Sequence, residues 1–137
     1  MRDQKVKICG VNDLSILEEI VNLEIDFVGF IFFGKSPRNV NNNFLELLND
    51  FNFKKTKPVC VYVNPDEEFV YKTSSYLNNP ILQFHGDEDS SFCESFGLEY
   101  WKAIRIKDKK DFVELKNYDS ASAILMENHK DGFYGCL

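Results

Sequence analysis

Residues 26–38 read DFVGFIFFGKSPR, an apolar run over Asp26–Phe33 followed by the turn Gly34–Arg38. Phe, Val and Ile fill the run with almost no polar alternation, the pattern of a strand covered on both faces, as in parallel sheets. Gly34 and Pro37 punctuate its end, and the turn leaves two cations, Lys35 and Arg38, at the strand's carboxyl terminus.

Working outward, comparable runs occur at Lys5–Cys9 (KVKIC), Pro58–Val63 (PVCVYV), Ile81–His85 (ILQFH), Tyr100–Ile106 (YWKAIRI) and Ala121–Glu127 (ASAILME). The six starts, at 5, 26, 58, 81, 100 and 121, are separated by 21, 32, 23, 19 and 21 residues. The intervals carry helical periodicity. Asn12-Asp13 caps a predicted helix with Leu14, Leu17, Ile20, Val21 and Leu23 on one side. Asn41–Phe51 spaces Phe44, Leu47, Leu48 and Phe51 at helical intervals. Pro65 opens DEEFVYKTSSYL with acids in the first turn, where the helix dipole favours them. Asp89-Ser90-Ser91 opens a short helix closed near Gly97, and Asp108–Tyr118 carries Phe112, Val113 and Leu115.

Strand–helix alternation at this pitch predicts parallel βαβ units in one α/β domain spanning 1–137, with no linker or charge block to divide it. Period alone leaves an open doubly wound sheet and a (β/α)-barrel, or part of one, both available. A complete eight-fold barrel takes roughly 200–250 residues, and six units fit here.

Composition narrows function by exclusion. A net charge of −6 offers no basic face for nucleic acid or anionic membrane, and no stretch approaches the roughly 20 apolar residues of a membrane helix. The charged N-terminus lacks a secretory apolar region, so a cytoplasmic location is expected. Cys9, Cys60, Cys93 and Cys136 form no C-x-x-C pair, which makes metal ligation and a disulfide framework poor readings.

Parallel α/β folds gather functional groups at the carboxyl ends of strands. Here those ends hold Cys9-Gly10, Lys35 and Arg38, Asn64, His85-Gly86-Asp87, Arg105, and Glu127-Asn128. One thiol, one imidazole, three cations and two carboxylates on one rim suit an anionic substrate and proton transfer. Taken singly, each has a plainer reading: a packed thiol, a hydrogen-bonded imidazole, solvated turn charges, a paired carboxylate.

Read in order, KICG at 7–10, GFIFFGKSPR at 29–38, VYVNP at 61–65, QFHGDE at 83–88 and KAIR at 102–105 resemble phosphoribosylanthranilate isomerase of tryptophan biosynthesis in order and spacing. The resemblance implies a (β/α)8 TIM-barrel fold, here a partial barrel of about six βα units lacking the last two strands. It also implies an aldose–ketose isomerase: the Amadori rearrangement of N-(5-phosphoribosyl)anthranilate to 1-(2-carboxyphenylamino)-1-deoxyribulose 5-phosphate, with no cofactor or metal. Cys9 matches the general base, which requires some thiolate near neutral pH, promoted by Arg38 or Lys35. Arg38 matches the arginine facing the anthranilate carboxylate, a partner its planar fork suits. His85 and Arg105 match motif positions that shape the pocket, and Lys35, in the GKSPR turn, is a further substrate-binding candidate.

Two departures accompany the resemblance. The family's acid is an aspartate closing strand 6, whereas Leu125-Met126-Glu127 puts a glutamate there, and Asp119 and Asp131 fall at no predicted strand end. The family then continues through a glycine segment, two further strands and the phosphate site; here Tyr134-Gly135 resembles the start of that segment and the sequence stops at Leu137. A six-stranded sheet is expected to present two edges where a barrel closes, for a second copy or another chain to cover. A catalytically inactive relative, a barrel fragment completed by another chain, and a different phosphosugar enzyme are the alternative expectations.

Overall fold

The computed structural model describes residues 3–128. Its strands are β1 (Lys7–Cys9), β2 (Phe27–Phe32), β3 (Lys57–Tyr62), β4 (Ile81–Phe84), β5 (Tyr100–Ile106) and β6 (Ala123–Asn128). Between them lie α1 (Leu14–Asn22), α2 (Asn42–Leu48), α3 (Glu67–Ser74), α4 (Ser90–Glu94) and a 3-10 helix, α5 (Lys109–Tyr118).

The strands form one parallel sheet in the order β1-β2-β3-β4-β5-β6. That order decides between the two architectures. A doubly wound sheet reverses direction partway and carries helices on both faces, whereas this sheet advances one strand at a time. Residues from α1 to α4, such as Leu17, Phe44, Val70 and Cys93, all pack on one side, against Val28, Phe30, Phe32, Cys60, Tyr62, Leu82 and Phe84. The other side is lined by strand residues alone: Ile31, Val59, Val61 and Ile81, flanked by Cys9, Phe27, Phe33 and Trp101. Helices outside and interdigitating strand side chains inside define a partial (β/α)-barrel.

Each helix starts on an Asx cap. Asp13, Asn41, Asp66, Asp89 and Asp108 accept hydrogen bonds from the backbone N–H of Ile16, Phe44, Phe69, Phe92 and Lys110. The caps satisfy otherwise orphaned donors and fix where each helix begins.

Several elements differ from the sequence expectation. β1 begins at Lys7 because the Val6 N–H donates to the Asp26 carboxylate at 2.8 Å. Leu23 lies past the end of α1, as its C-cap, and is exposed. In α2 the buried arc is Phe44, Leu45 and Leu48, which turns Leu47 outward. Phe51 lies beyond that helix and meets Phe53 edge-on, with a centroid separation of 4.8 Å. The expected amphipathic helix over 108–118 is a 3-10 helix with no buried residue, and Phe112 and Val113 are 47% and 65% exposed. β6 starts at Ala123, two residues later than expected, after Ser122 N–H bonds the Tyr100 carbonyl. Asp131, Tyr134-Gly135 and Cys136 lie outside the described residues.

Candidate active site

Parallel register puts paired residues on the same face. Cys9 pairs with Gly29, Val59 with Ile81, Gln83 with Trp101, Trp101 with Ala123, and Arg105 with Glu127. Strand alternation therefore sends Cys9, Gln83, His85, Arg105 and Glu127 to the inner face. Two clusters form there.

The first joins β1 to β2. A Cβ built on Gly29 would stand 2.8 Å from Cys9 Sγ, so a hydrogen at position 29 is what leaves room for the thiol. Gly10 adopts φ +84, a left-handed conformation natural to glycine, and its N–H donates to the Gly29 carbonyl at 2.9 Å. The Arg38 guanidinium lies against Gly10, and Nη1 donates to the Cys9 carbonyl at 3.1 Å. Arg38 arrives there because its loop folds back along β2. Asn39 bridges Ile31, Val40 N–H donates to the Ile31 carbonyl at 2.8 Å, and the Asn39 side chain accepts from Phe33 N–H at 2.8 Å. Lys35 remains exposed on the same turn, with no hydrogen bond or ion pair among the described residues.

The second cluster spans β4, β5 and β6. His85, with its side chain 1% exposed, places Nε2 2.7 Å from Glu127 Oε2 and Nδ1 3.3 Å from Gln83 Nε2. Between them β5 presents Ala103, one residue beyond the Phe84–Lys102 pair, small enough for Glu127 to reach across. Arg105 shares the Glu127 register, and His85, Lys102, Ala103, Arg105, Glu114 and Tyr118 border a cavity of about 460 Å³.

A buried carboxylate anchors this end of β4. Glu88 accepts the N–H groups of Asn64 at 2.8 Å and Gly86 at 2.9 Å, and pairs with Lys102 Nζ at 3.1 Å. Lys102 also donates to the Gly86 carbonyl at 2.6 Å. Sequence reasoning assigned no role to Gln83, Glu88 or Lys102, although all three stand inside its motifs QFHGDE and KAIR. The available signal was that Gln, Glu and Lys are costly to bury without partners.

The other two thiols among the described residues differ from Cys9. Burial pushes Cys60 and Cys93 up to about 12, which leaves them neutral and unreactive, whereas Cys9 is only half-buried. Chemically, the inner face combines a thiol beside a guanidinium-bound peptide with a carboxylate–imidazole pair. Those are the elements of a proton-transfer site for an anionic substrate.

Fold and site together define a (β/α)-barrel protein with acid–base groups at its carboxyl rim. Residues 6–133 match the family model of N-(5'-phosphoribosyl)anthranilate isomerase, and the chain belongs to that family. An N-(5'-phosphoribosyl)anthranilate isomerase of Nitrosomonas europaea is 35% identical over 136 residues, covering 96% of this chain and 63% of the relative. One from Thermoanaerobacter sp. is 38% identical over 133 residues, covering 96% and 64%. The crystal structure of the Thermotoga maritima phosphoribosylanthranilate isomerase superposes with a TM-score of 0.79 at 27% identity, over 96% of this chain and 64% of that one. Another isomerase structure, in complex with reduced 1-(o-carboxyphenylamino)-1-deoxyribulose 5-phosphate, gives 0.75 at 27% identity, over 92% and 66%. The chain thus spans less than two thirds of the length of these curated relatives. Among the described residues no helix is long and apolar enough to cross a membrane.

Proposed function

We propose that the chain acts in tryptophan biosynthesis as a cytoplasmic phosphoribosylanthranilate isomerase. The reaction opens the ribose ring of N-(5-phosphoribosyl)anthranilate and moves a proton from C2 to give 1-(2-carboxyphenylamino)-1-deoxyribulose 5-phosphate. The observation that carries this reading is the common inner face of Cys9, the last residue of β1, and Glu127, the last but one of β6.

In this mechanism the Glu127 carboxyl gives its proton to the ribose ring oxygen as the C1–O bond breaks, which leaves a Schiff base. The Cys9 thiolate then takes the C2 proton, and the resulting enolamine relaxes to the ketone. No cofactor or metal enters the scheme. Arg38, fixed to the Cys9 carbonyl, presents its remaining donors to the anthranilate carboxylate. His85 orients Glu127, Arg105 lines the pocket beside it, and Lys35 supplies a loop cation for the substrate's charge.

Loss of anthranilate fluorescence on adding the substrate to the purified chain tests the proposal. Turnover abolished in Cys9→Ala and in Glu127→Ala is the expected result. No turnover by the unsubstituted chain would overturn the assignment of activity, and full turnover in either variant would remove that residue from the mechanism.

A second reading rests on the outer edges of β1 and β6, neither of which is paired to a strand among the described residues. Exposed ladders recruit partners, and a homologue from Thermotoga maritima is described as dimeric. We propose that a second copy of the chain covers these edges. Light scattering on the eluting protein is expected to give twice the monomer mass, and a monomer at high concentration would exclude it.

A further inference from the structure

Gln83 is 1% exposed on the inner face, two residues before His85. Its Nε2 lies 3.3 Å from His85 Nδ1, while its Oε1 has no hydrogen-bond partner among the described residues. An amide N–H donates and never accepts, so in this orientation Nδ1 must offer a lone pair. A neutral His85 then carries its one ring proton on Nε2 and donates it to an ionised Glu127 at 2.7 Å. Half a turn about the last side-chain bond of Gln83 exchanges oxygen and nitrogen with almost no change of shape. Because Oε1 holds no partner among the described residues, that turn breaks no contact at the oxygen within them.

With the oxygen facing the ring, Nδ1 must carry a proton. The pair then holds one proton more than before, either as imidazolium beside carboxylate or as an Nδ1–H ring accepting from a protonated Glu127. The first orientation fits the pair after it has given up a proton; the second fits the pair loaded to give one. The charged and titratable groups around the ring are Glu127 from β6, which meets Nε2, and those that border the same cavity: Asp87 after β4, Lys102 and Arg105 from β5, and Glu114 and Tyr118 from α5, with Glu88 behind Lys102. Lys102 and Glu88 are committed to each other and to Gly86.

We propose that Gln83 is a positioning residue whose amide orientation follows the proton count of the His85–Glu127 pair, steadying both states of the donor. Its place in catalysis rests on the proposed role of Glu127; the coupling itself does not. A fixed structural glutamine would hold one orientation and support one state only.

The test is nitrogen-detected NMR on the full 15N-labelled chain. It has two histidines, so His129→Gln leaves His85 as the sole imidazole signal. On acidification, the side-chain amide resonances of Gln83 are expected to move with the same midpoint as His85 Nδ1. Gln83→Glu, whose carboxylate only accepts, is expected to raise that midpoint by about one pH unit or more. Gln83→Leu is expected to lower it, because the hydrogen bond to the protonated ring is the stronger of the two lost. A Gln83 amide that stays still while His85 titrates would overturn the proposal, even if neither variant folds, and so would an unchanged midpoint in both variants. If the chain turns over substrate, Gln83→Leu is expected to lower kcat about tenfold or more with KM nearly unchanged. The titration is read without turnover, so an inactive chain would sink the isomerase reading and leave this one standing.

Discussion

His85 Nε2 and Glu127 Oε2 meet at 2.7 Å although β5 runs between their strands. The contact needs a small side chain beneath it, and Ala103 supplies one. It also needs reach, and a glutamate at this strand end has one methylene more than an aspartate. Glu127→Asp is therefore expected to break the contact and to lower kcat on the order of tenfold to 100-fold with little change in KM, read by steady-state assay.

Gly29 serves the thiol of its neighbour. In Gly29→Ala the new methyl meets Cys9 Sγ at 2.8 Å and the Cys9 backbone at 3.2 Å. Overpacking of this kind costs about 1–3 kcal/mol, so the urea midpoint should fall. A midpoint equal to that of the unsubstituted chain would show that the thiol has room to move.

Lys102 and Glu88 are 2% and 7% exposed and satisfy each other together with three backbone groups. Lys102→Met strands a buried carboxylate, and removing one partner of such a pair costs about 3–5 kcal/mol. Urea unfolding should show a loss of that size. Glu88→Gln, which keeps the shape of the acceptor, should cost less.

Burial raises the Cys60 thiol from 9.0 to about 12 in the folded chain. A raised thiol binds its proton more tightly when folded. Its contribution is complete below pH 9 and is lost as pH climbs toward 12. Stability measured by urea unfolding should therefore decline from pH 9 upward, and part of that slope should vanish in Cys60→Ala. By the same reasoning, iodoacetamide at neutral pH should label Cys9 well before Cys60 or Cys93, as peptide mapping would show.

Much of the architecture was legible because parallel strands and helices write different periods. All six strand positions were read to within a few residues, and an Asx cap opens each of the five helices. The misreadings fall at places where local pattern and packing diverge. Leu23, Leu47 and Val113 have the right spacing for a buried face, yet helix ends and the turn of each helix about its axis decide which apolar side chains find a partner. The site was legible as a set of strand ends, since parallel topology delivers them all to one rim.

Alternation and spacing along the chain thus determined a parallel α/β domain and the residues available at its rim. They left open whether the sheet reverses and which rim groups touch, because both depend on the order of strands and on register. Only the tertiary structure decided that strands add in sequence, that Arg38 folds back onto Cys9 while Lys35 stays in solvent, and that Gln83, His85 and Glu127 line up across β5. Those relationships join residues distant in sequence through sheet geometry, and no local pattern encodes such a distance.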